Sequence, residues 1–521
     1  MHPAVAIIIA MLSAGIGYAN PLLHLPTAIL GFPLALGLIA FSSPSPRKAM
    51  KTGWIAGSLA AITSMYWIAY PVGVYGGLSW ALAIPCPVLI GMFVGAYYAF
   101  YTYMLSHAVR VLSPFALCLF SGLLWTSMET AQGAMFTGFP WMTLSSALAF
   151  RPEWIQSAAF IGAYGLSGLL VSVTAAILVC RKSHLVKIWA IAVVAFIIIL
   201  GGVRTSPQQF TNIKKTGEAS IGFVQGNINQ AQKWNDEYKN TTFKKYLDLS
   251  RQITDQSDIV VWPETAMPFY LQDHGIMRTE LINFATETKT PILTGAPGYV
   301  LHSKGDFSLY NRAYLISPDK KYMDWYDKSH LVPFGEYIPF KSILPLGKLV
   351  QGAGDFLPGT DAAPLQSGDL AMGMLICYEG IFPELAQERV EKGANILINI
   401  SNDAWYGKTS APLQHLNLVT MRTVEQGRYM IRGTNTGISA CIDPLGRVTK
   451  TTGLFVDAAV VAKAALLSGE TFYHANYKTV TRTPLILTLL FTVWIIINRR
   501  INSGGNKYKG IITEHASTLR P

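Results

Sequence analysis

Long unbroken apolar runs, separated by short polar turns, fill the first two hundred residues and then give way to shorter runs broken by charge. Runs near 4–19, 27–42, 53–70, 78–106, 114–131, 160–180 and 186–202, and a last one near 484–498, approach the length that carries a helix across hydrocarbon. About eight membrane-spanning helices are therefore expected: seven within residues 1–202 and one at 484–498, followed by a tail at 499–521. Only Met1, His2 and Pro3 precede the first run, without the basic segment or clean small-residue cleavage site of a secretory signal, so it is read as a span.

Residues 203–483 have a different rhythm. Strand-length apolar runs occur at 219–226, 258–264, 290–296, 312–318, 370–377, 395–401 and 437–444. Helical patterns at about 236–255, 274–288, 382–392 and 412–428 alternate with many of them. This predicts a folded α/β domain, a sheet covered by helices, attached to a helical membrane bundle.

Composition sharpens the picture. Of 521 residues, 51% are hydrophobic and only 14% charged, far from the balance of a soluble chain. The net charge of +11 sits largely beside apolar runs rather than in one stripe, which argues against nucleic-acid binding. Arg47, Lys48 and Lys51, then Arg110, then Arg181, Lys182 and Lys187, then Arg499 and Arg500 fall in loops on one side, whereas the alternate loops hold only Arg151. Basic loops remain cytoplasmic, so both termini are expected inside and residues 203–483 outside. Cysteines at 86, 118, 180, 377 and 441 form no CxxC and no paired spacing, suggesting neither a disulfide framework nor a zinc site. Cys86, Cys118 and Cys180 read as small apolar residues in helix packing and Cys441 as a core thiol, and no metal or cofactor is expected.

Three residues outside that packing could carry chemistry. Cys377 ends an apolar strand and precedes a helical stretch, a turn at which a nucleophile can be presented beside backbone N–H groups. Glu264 ends the run Val260-Val261-Trp262-Pro263-Glu264, where partial desolvation would raise a carboxylate toward a base's working range. Lys328 lies in Trp325-Tyr326-Asp327-Lys328-Ser329-His330. Taken singly they are ordinary: a buried thiol, a cap or surface carboxylate, a solvated ammonium.

Together they resemble the nitrilase, or carbon–nitrogen hydrolase, superfamily, whose Glu, Lys and Cys occur in this order at strand ends of an αββα sandwich. Asn402-Asp403-Ala404-Trp405 and Asp443-Pro444-Leu445-Gly446-Arg447 extend the likeness. Placed between seven spans and a final one, such a domain resembles the apolipoprotein N-acyltransferase family. Further matching segments are Gly138-Phe139-Pro140-Trp141, Gln225-Gly226-Asn227, Trp234, Trp262-Pro263-Glu264-Thr265-Ala266, the stretch from His330 to Tyr337, and Cys377-Tyr378-Glu379.

The resemblance implies a bacterial inner-membrane enzyme with its catalytic domain in the periplasm. Its thiol takes an acyl chain from a phospholipid, preferably phosphatidylethanolamine, and passes it to the amino terminus of a diacylglyceryl-cysteine apolipoprotein. On that reading Glu264 is the general base, while Lys328 lowers the thiol pKa and, with the Tyr378 N–H, holds the oxyanion. Glu336 orients Lys328, Tyr378 and Glu379 shape the turn, and Trp234 lines the substrate pocket. Phe139, Pro140 and Trp141 either guide an acyl chain or form an interfacial belt. The Gly- and Pro-rich stretch 333–358 reads as a lid or a plain connection. Two other readings stay open: a membrane-anchored amidase or nitrile hydrolase using the same triad, and a transporter or receptor whose nitrilase-like domain is inactive. The scarcity of ionisable residues in the spans, Glu129 being the main exception, speaks against the last.

Overall fold

The computed structural model describes residues 2–180, 183–204, 206, 208–209, 211–303, 305–319, 323–338 and 355–517, side chains from Arg500 onward excepted. All eight predicted apolar runs are largely helical. Among the described residues, four helices are long and apolar enough to cross a membrane: Trp80–Ala108, Ala158–Val179, His184–Val203 and Tyr477–Arg499. A fifth is added if Pro46–Ser64 and Tyr66–Tyr75, bent by 59° at their junction, form one broken span. The difference from eight has physical causes. The helical stretches Pro3–Gly17 and Pro26–Ser42 are apolar but short. Pro114–Ala134 buries Ser121, Thr126, Ser127, Glu129 and Gln132, which lower its hydropathy. Ser-Pro pairs start two of the helices: Ser45 and Ser113 accept from the N–H groups of Lys48 and Ala116 while Pro46 and Pro114 supply preset first residues.

The α/β domain is built on two six-stranded sheets. The first contains Lys214–Gln225 (β1), Ile259–Val261 (β2), Ile292–Leu301 (β3), Phe307–Ile316 (β4) and Asp324–Asp327 (β5). The second contains Leu365–Ser367 (β6), Leu370–Ile376 (β7), Ile396–Ser401 (β8), Met430–Thr434 (β9), Ala440–Ile442 (β10) and Val448–Thr451 (β11). Ala458–Ser468 (β12) returns to the first sheet, giving the orders β12-β1-β2-β3-β4-β5 and β11-β10-β9-β8-β7-β6. Alternation along each strand sorts side chains to two faces. Ile259, Val261, Met372, Met374, Ile376, Ile396, Ile398 and Ile400 meet between the sheets. Val260 faces the other way, toward Phe243, Tyr246 and Phe284 of the helices Asp236–Arg251 and Ile276–Thr288. Leu375 and Leu397 likewise meet Ala386, Val390 and Val419 of Pro383–Glu391 and Ala411–Gln426. The result is the expected αββα sandwich, with helices close to their predicted limits.

The helix Ala411–Gln426 also packs against the membrane-type helices. Ala411, Leu418, Met421 and Val424, with Tyr378 and Phe382, share one apolar cluster with Trp67, Trp141, Leu144 and Ile155. The second sheet, not the first, thus carries the turn at Cys377 onto the helical bundle.

Candidate active site

Strands β2 and β3 run parallel, β3–β4 and β4–β5 antiparallel, so β5 runs with β2 and their carboxyl ends share an edge. In open α/β sheets ligands bind beyond the carboxyl ends of strands. Glu264 follows β2, Lys328 follows β5 and Cys377 follows β7. At this edge Thr265 (φ 47°), Phe334 (φ 61°) and Cys377 (φ 54°) occupy the left-handed region although none is glycine. Such backbone persists only where its surroundings over-determine it.

The charged half of the site is a compact cluster. Lys328 is 1% exposed, and its Nζ lies 2.8 Å from Glu336 Oε2 and 3.7 Å from Glu264 Oε1. Asn311 Nδ2 donates to both carboxylates, at 2.7 Å to Glu264 and 2.8 Å to Glu336. The Val332 N–H donates to Glu336 Oε2 at 2.8 Å, closing the turn that carries it. Burial pushes the Glu264 carboxyl up, and Lys328 only partly opposes this. Burial pulls Lys328 down, but Glu336 and Glu264 outweigh it and keep the ammonium charged. The Cys377 thiol is pushed well up by burial and further by Glu264, against the pull of Lys328. Lys328 therefore pulls on the thiol in the expected direction, against burial and Glu264.

The other half holds the nucleophile's peptide. The Cys377 carbonyl accepts from Asn399 Nδ2 and faces His415 Nε2, each at 3.2 Å. Glu379, fully buried, accepts at Oε1 from the Tyr326 hydroxyl, the Ser329 N–H and hydroxyl, and the His330 N–H, and at Oε2 from the Ile376 N–H. It ties the segment after Lys328 to the turn at Cys377 and makes no contact with the charged cluster. The Tyr378 hydroxyl donates to the Gly138 carbonyl at 2.9 Å, and its ring lies 6.5 Å from Phe139. Trp141 donates instead to Gln414 Oε1 at 2.8 Å. Pro140 opens the short helical turn Pro140–Met142 that aims Trp141 inward.

Cys377, Glu264, Lys328 and Glu336 are thus brought together, whereas Tyr378, Glu379, Phe139 and Trp141 support the turn from behind. Trp234 is 37% exposed and outside the core clusters. Its neighbour Lys233 is the buried one, donating to Thr265 Oγ1 at 2.7 Å and to the Glu264 carbonyl at 3.3 Å. Sequence reading passed over Lys233, Asn311, Asn399 and His415. Strand alternation in β8 could have flagged Asn399, a polar residue inside an apolar strand; the others had no local signal. The stretch read as a lid or a plain connection, 333–358, falls largely on 339–354, outside the described residues. At its flanks the Phe356 N–H donates to the Glu336 carbonyl and the Gly359 N–H to the Lys328 carbonyl.

A thiol, a carboxylate and an ammonium at the carboxyl ends of strands in two facing sheets define a nitrilase-type α/β domain, here packed on membrane-type helices. The family model for carbon–nitrogen hydrolases matches residues 220–466, and that for the apolipoprotein N-acyltransferase N-terminal domain matches 15–177. The chain is 34% identical over 446 residues to the apolipoprotein N-acyltransferase of Geobacter metallireducens, covering 84% of this chain and 85% of that one. It is 32% identical over 510 residues to the corresponding protein of Rickettsia bellii, covering 94% and 98%. Among solved structures, a Saccharomyces cerevisiae member of branch 10 of the nitrilase superfamily matches at 20% identity and a TM-score of 0.38, over 51% of this chain and 95% of its own. The chain belongs to the apolipoprotein N-acyltransferase family.

Proposed function

We propose that the protein moves an acyl chain from a phospholipid, phosphatidylethanolamine by preference, through a Cys377 thioester to the N-terminal amine of a diacylglyceryl-cysteine apolipoprotein. The observation that carries the division of roles is electrostatic: a buried carboxyl with a raised pKa and a charged lysine both act on a thiol that is protonated at rest. Glu264 takes the thiol proton as Sγ attacks the ester carbonyl, then returns it to the departing lysophospholipid oxygen as the C–O bond breaks. In the second half the amine attacks the thioester, Glu264 takes its proton, and the C–S bond breaks to restore the thiol. Lys328 and the Tyr378 N–H hold the oxyanion in both tetrahedral intermediates, and Glu336 keeps Lys328 in place.

A small cavity of about 50 Å³, lined by Phe93, Val94, Tyr97, Gln132 and residues 135–139, lies beside Tyr378 and supports Phe139 as a guide for the acyl chain. Trp234 and Pro140 complete the substrate side in this proposal. Loop charge supports an architecture of 1–202 in the membrane, 203–483 as a periplasmic catalytic domain of a bacterial inner-membrane enzyme, 484–498 as the last span and 499–521 as a cytoplasmic tail, with both termini inside. A small-amide hydrolase would have no use for a site joined to so many apolar helices.

The test is mass spectrometry of the intact protein after mixing with phospholipid. One acyl-chain increment on Cys377, larger in yield with phosphatidylethanolamine than with phosphatidylglycerol, is expected; an unmodified Cys377 under turnover would sink the thioester route. Orientation is tested separately: a reporter active only outside the cytoplasm should work fused after Lys214 and fail after Lys507.

A further inference from the structure

The strained peptide at Cys377 is bonded by His415, whose chain neighbour Gln414 is bonded to the membrane-type helices. The membrane end of this link is the bend between Pro46–Ser64 and Tyr66–Tyr75. A helix end leaves carbonyls without intrahelical partners, and the Ser64 carbonyl at this bend accepts from Gln414 Nε2 at 3.0 Å. The Gln414 oxygen in turn accepts two indole N–H groups, from Trp67 at 3.1 Å and Trp141 at 2.8 Å. The two indoles pack together, centroids 4.8 Å apart. One side chain of the catalytic domain thus satisfies three separated groups of the helical bundle.

The next residue reaches the nucleophile. His415 is fully buried, with Nε2 3.2 Å from the Cys377 carbonyl and its ring 5.6 Å from that of Trp141. The carbonyl can only accept, so Nε2 donates to it; Nδ1 lies between Arg432, 3.0 Å away, and Asp403 Oδ1, 3.2 Å away. The same guanidinium donates to Asp403 Oδ2 at 2.6 Å and to Asn399 Oδ1, while Asn399 Nδ2 supplies the second bond to the Cys377 carbonyl. Burial and Arg432 hold the ring below its ordinary pKa, with Asp403 and the Cys377 carbonyl partly opposing. Cys377 itself sits at φ 54°, a conformation its own side chain disfavours.

We propose that Gln414 and His415 are positioning residues for the acyl transfer, fixing the nucleophile's peptide from the membrane side through the bond from His415 to the Cys377 carbonyl and the anchorage of Gln414 on Ser64, Trp67 and Trp141. This rests on Cys377 being the nucleophile. Both act through the Cys377 peptide, which His415 meets at the carbonyl oxygen. Their contribution is to hold the peptide so that Sγ, and the adjacent N–H groups, meet the ester in one geometry. A misplacement on the order of 1 Å costs about 10²-fold in rate.

The test uses the full-length protein in phospholipid nanodiscs and follows thioester formation and the lipid KM. His415→Phe should slow thioester formation about 10²-fold with KM changed less than about twofold. His415→Gln, which keeps an amide donor, should recover at least about tenfold of that loss. Gln414→Met should slow it about tenfold. Gln426→Met serves as the control, because Gln426 is buried on the same helix and bonded to Gln387 and His474 rather than toward Cys377. It should lower thermal stability comparably and leave the rate within about twofold. Equal slowing by Gln426→Met and Gln414→Met, or no recovery in His415→Gln, would overturn the positioning role. An unacylated Cys377 in the unsubstituted protein would instead remove the nucleophile assignment itself, so the two failures are distinct.

Discussion

Glu264 and Glu379 each lie just beyond the carboxyl end of a buried strand, one on each sheet, and the molecule uses them in opposite ways. Glu379 collects five donors from backbone and side chains. A carboxyl so saturated is pinned, and its bonds join the Lys328 segment to the turn at Cys377. Glu264 accepts from Asn311 and faces Lys328 at 3.7 Å, and burial leaves its carboxyl raised. The lesson is that burial alone does not identify a base. What matters is how much of the carboxylate's hydrogen-bonding capacity the fold has already used.

The largest effect expected at either edge is that of removing the nucleophile. Cys377→Ala should abolish the acyl-enzyme and product, a loss on the order of 10⁴-fold or more, whereas Cys441→Ala, buried between the sheets, should leave most activity. Comparable losses in the two variants would undo the distinction between reactive and structural thiols.

Next comes the carboxylate pair itself. Glu264→Gln should slow both half-reactions by about 10²–10⁴-fold while the protein keeps its unfolding temperature. Glu379→Gln places an amide among donors that need an acceptor, and should destabilise the protein by about 2–3 kcal/mol as well as lowering activity. Thermal unfolding beside single-turnover acylation decides it; a destabilised Glu264→Gln with an unchanged Glu379→Gln would reverse the comparison.

A smaller, graded difference separates Glu264 from Lys328. The folded thiol titrates above its ordinary value, so below that point each pH unit multiplies the thiolate about tenfold and supplies nucleophile without a base. Rising pH should therefore restore thioester formation in Glu264→Gln much more than in Lys328→Met, which has lost a preorganised donor that no solvent ion replaces. Equal rescue in a pH series of acyl-enzyme accumulation would merge the two roles.

The smallest effect is at Lys233, beneath Glu264. Burial lowers its pKa to about 7, Glu264 partly opposing. Since the unfolded lysine keeps its proton to about 10, the unfolded state binds more protons between about pH 7 and 10, and this group makes stability rise with pH across that window. Lys233→Met should flatten that rise in denaturant titrations; an unchanged slope would mean that Lys233 stays charged in the folded protein.

Much of this protein is legible along the chain. Apolar run length marks the membrane-type helices, strand-length apolar runs mark β2, β7 and β8, and the motifs around Glu264, Lys328 and Cys377 carry the likeness to the superfamily, because each signal is carried by residues adjacent in sequence. The limits of that reading are also local. The count of spans depended on polar residues such as Glu129 within Pro114–Ala134 and on a bend after Ser64, neither of which a run of apolar letters reveals. The strand β5 that presents Lys328 is four residues long and half polar, so it has no pattern to find. Only the tertiary structure decides that Glu379 is spent on bonds while Glu264 remains raised, since both sit in similar sequence surroundings and their difference is made by donors up to 53 residues away. The same holds for Gln414, whose partners Trp67 and Ser64 lie about 350 residues earlier, brought to it by the packing of one sheet's helix onto the membrane bundle. Hydrogen bonds act over about 3 Å of space regardless of separation along the chain, which is why residue types and run lengths could be read from the sequence and their assignment to chemistry or bracing could not.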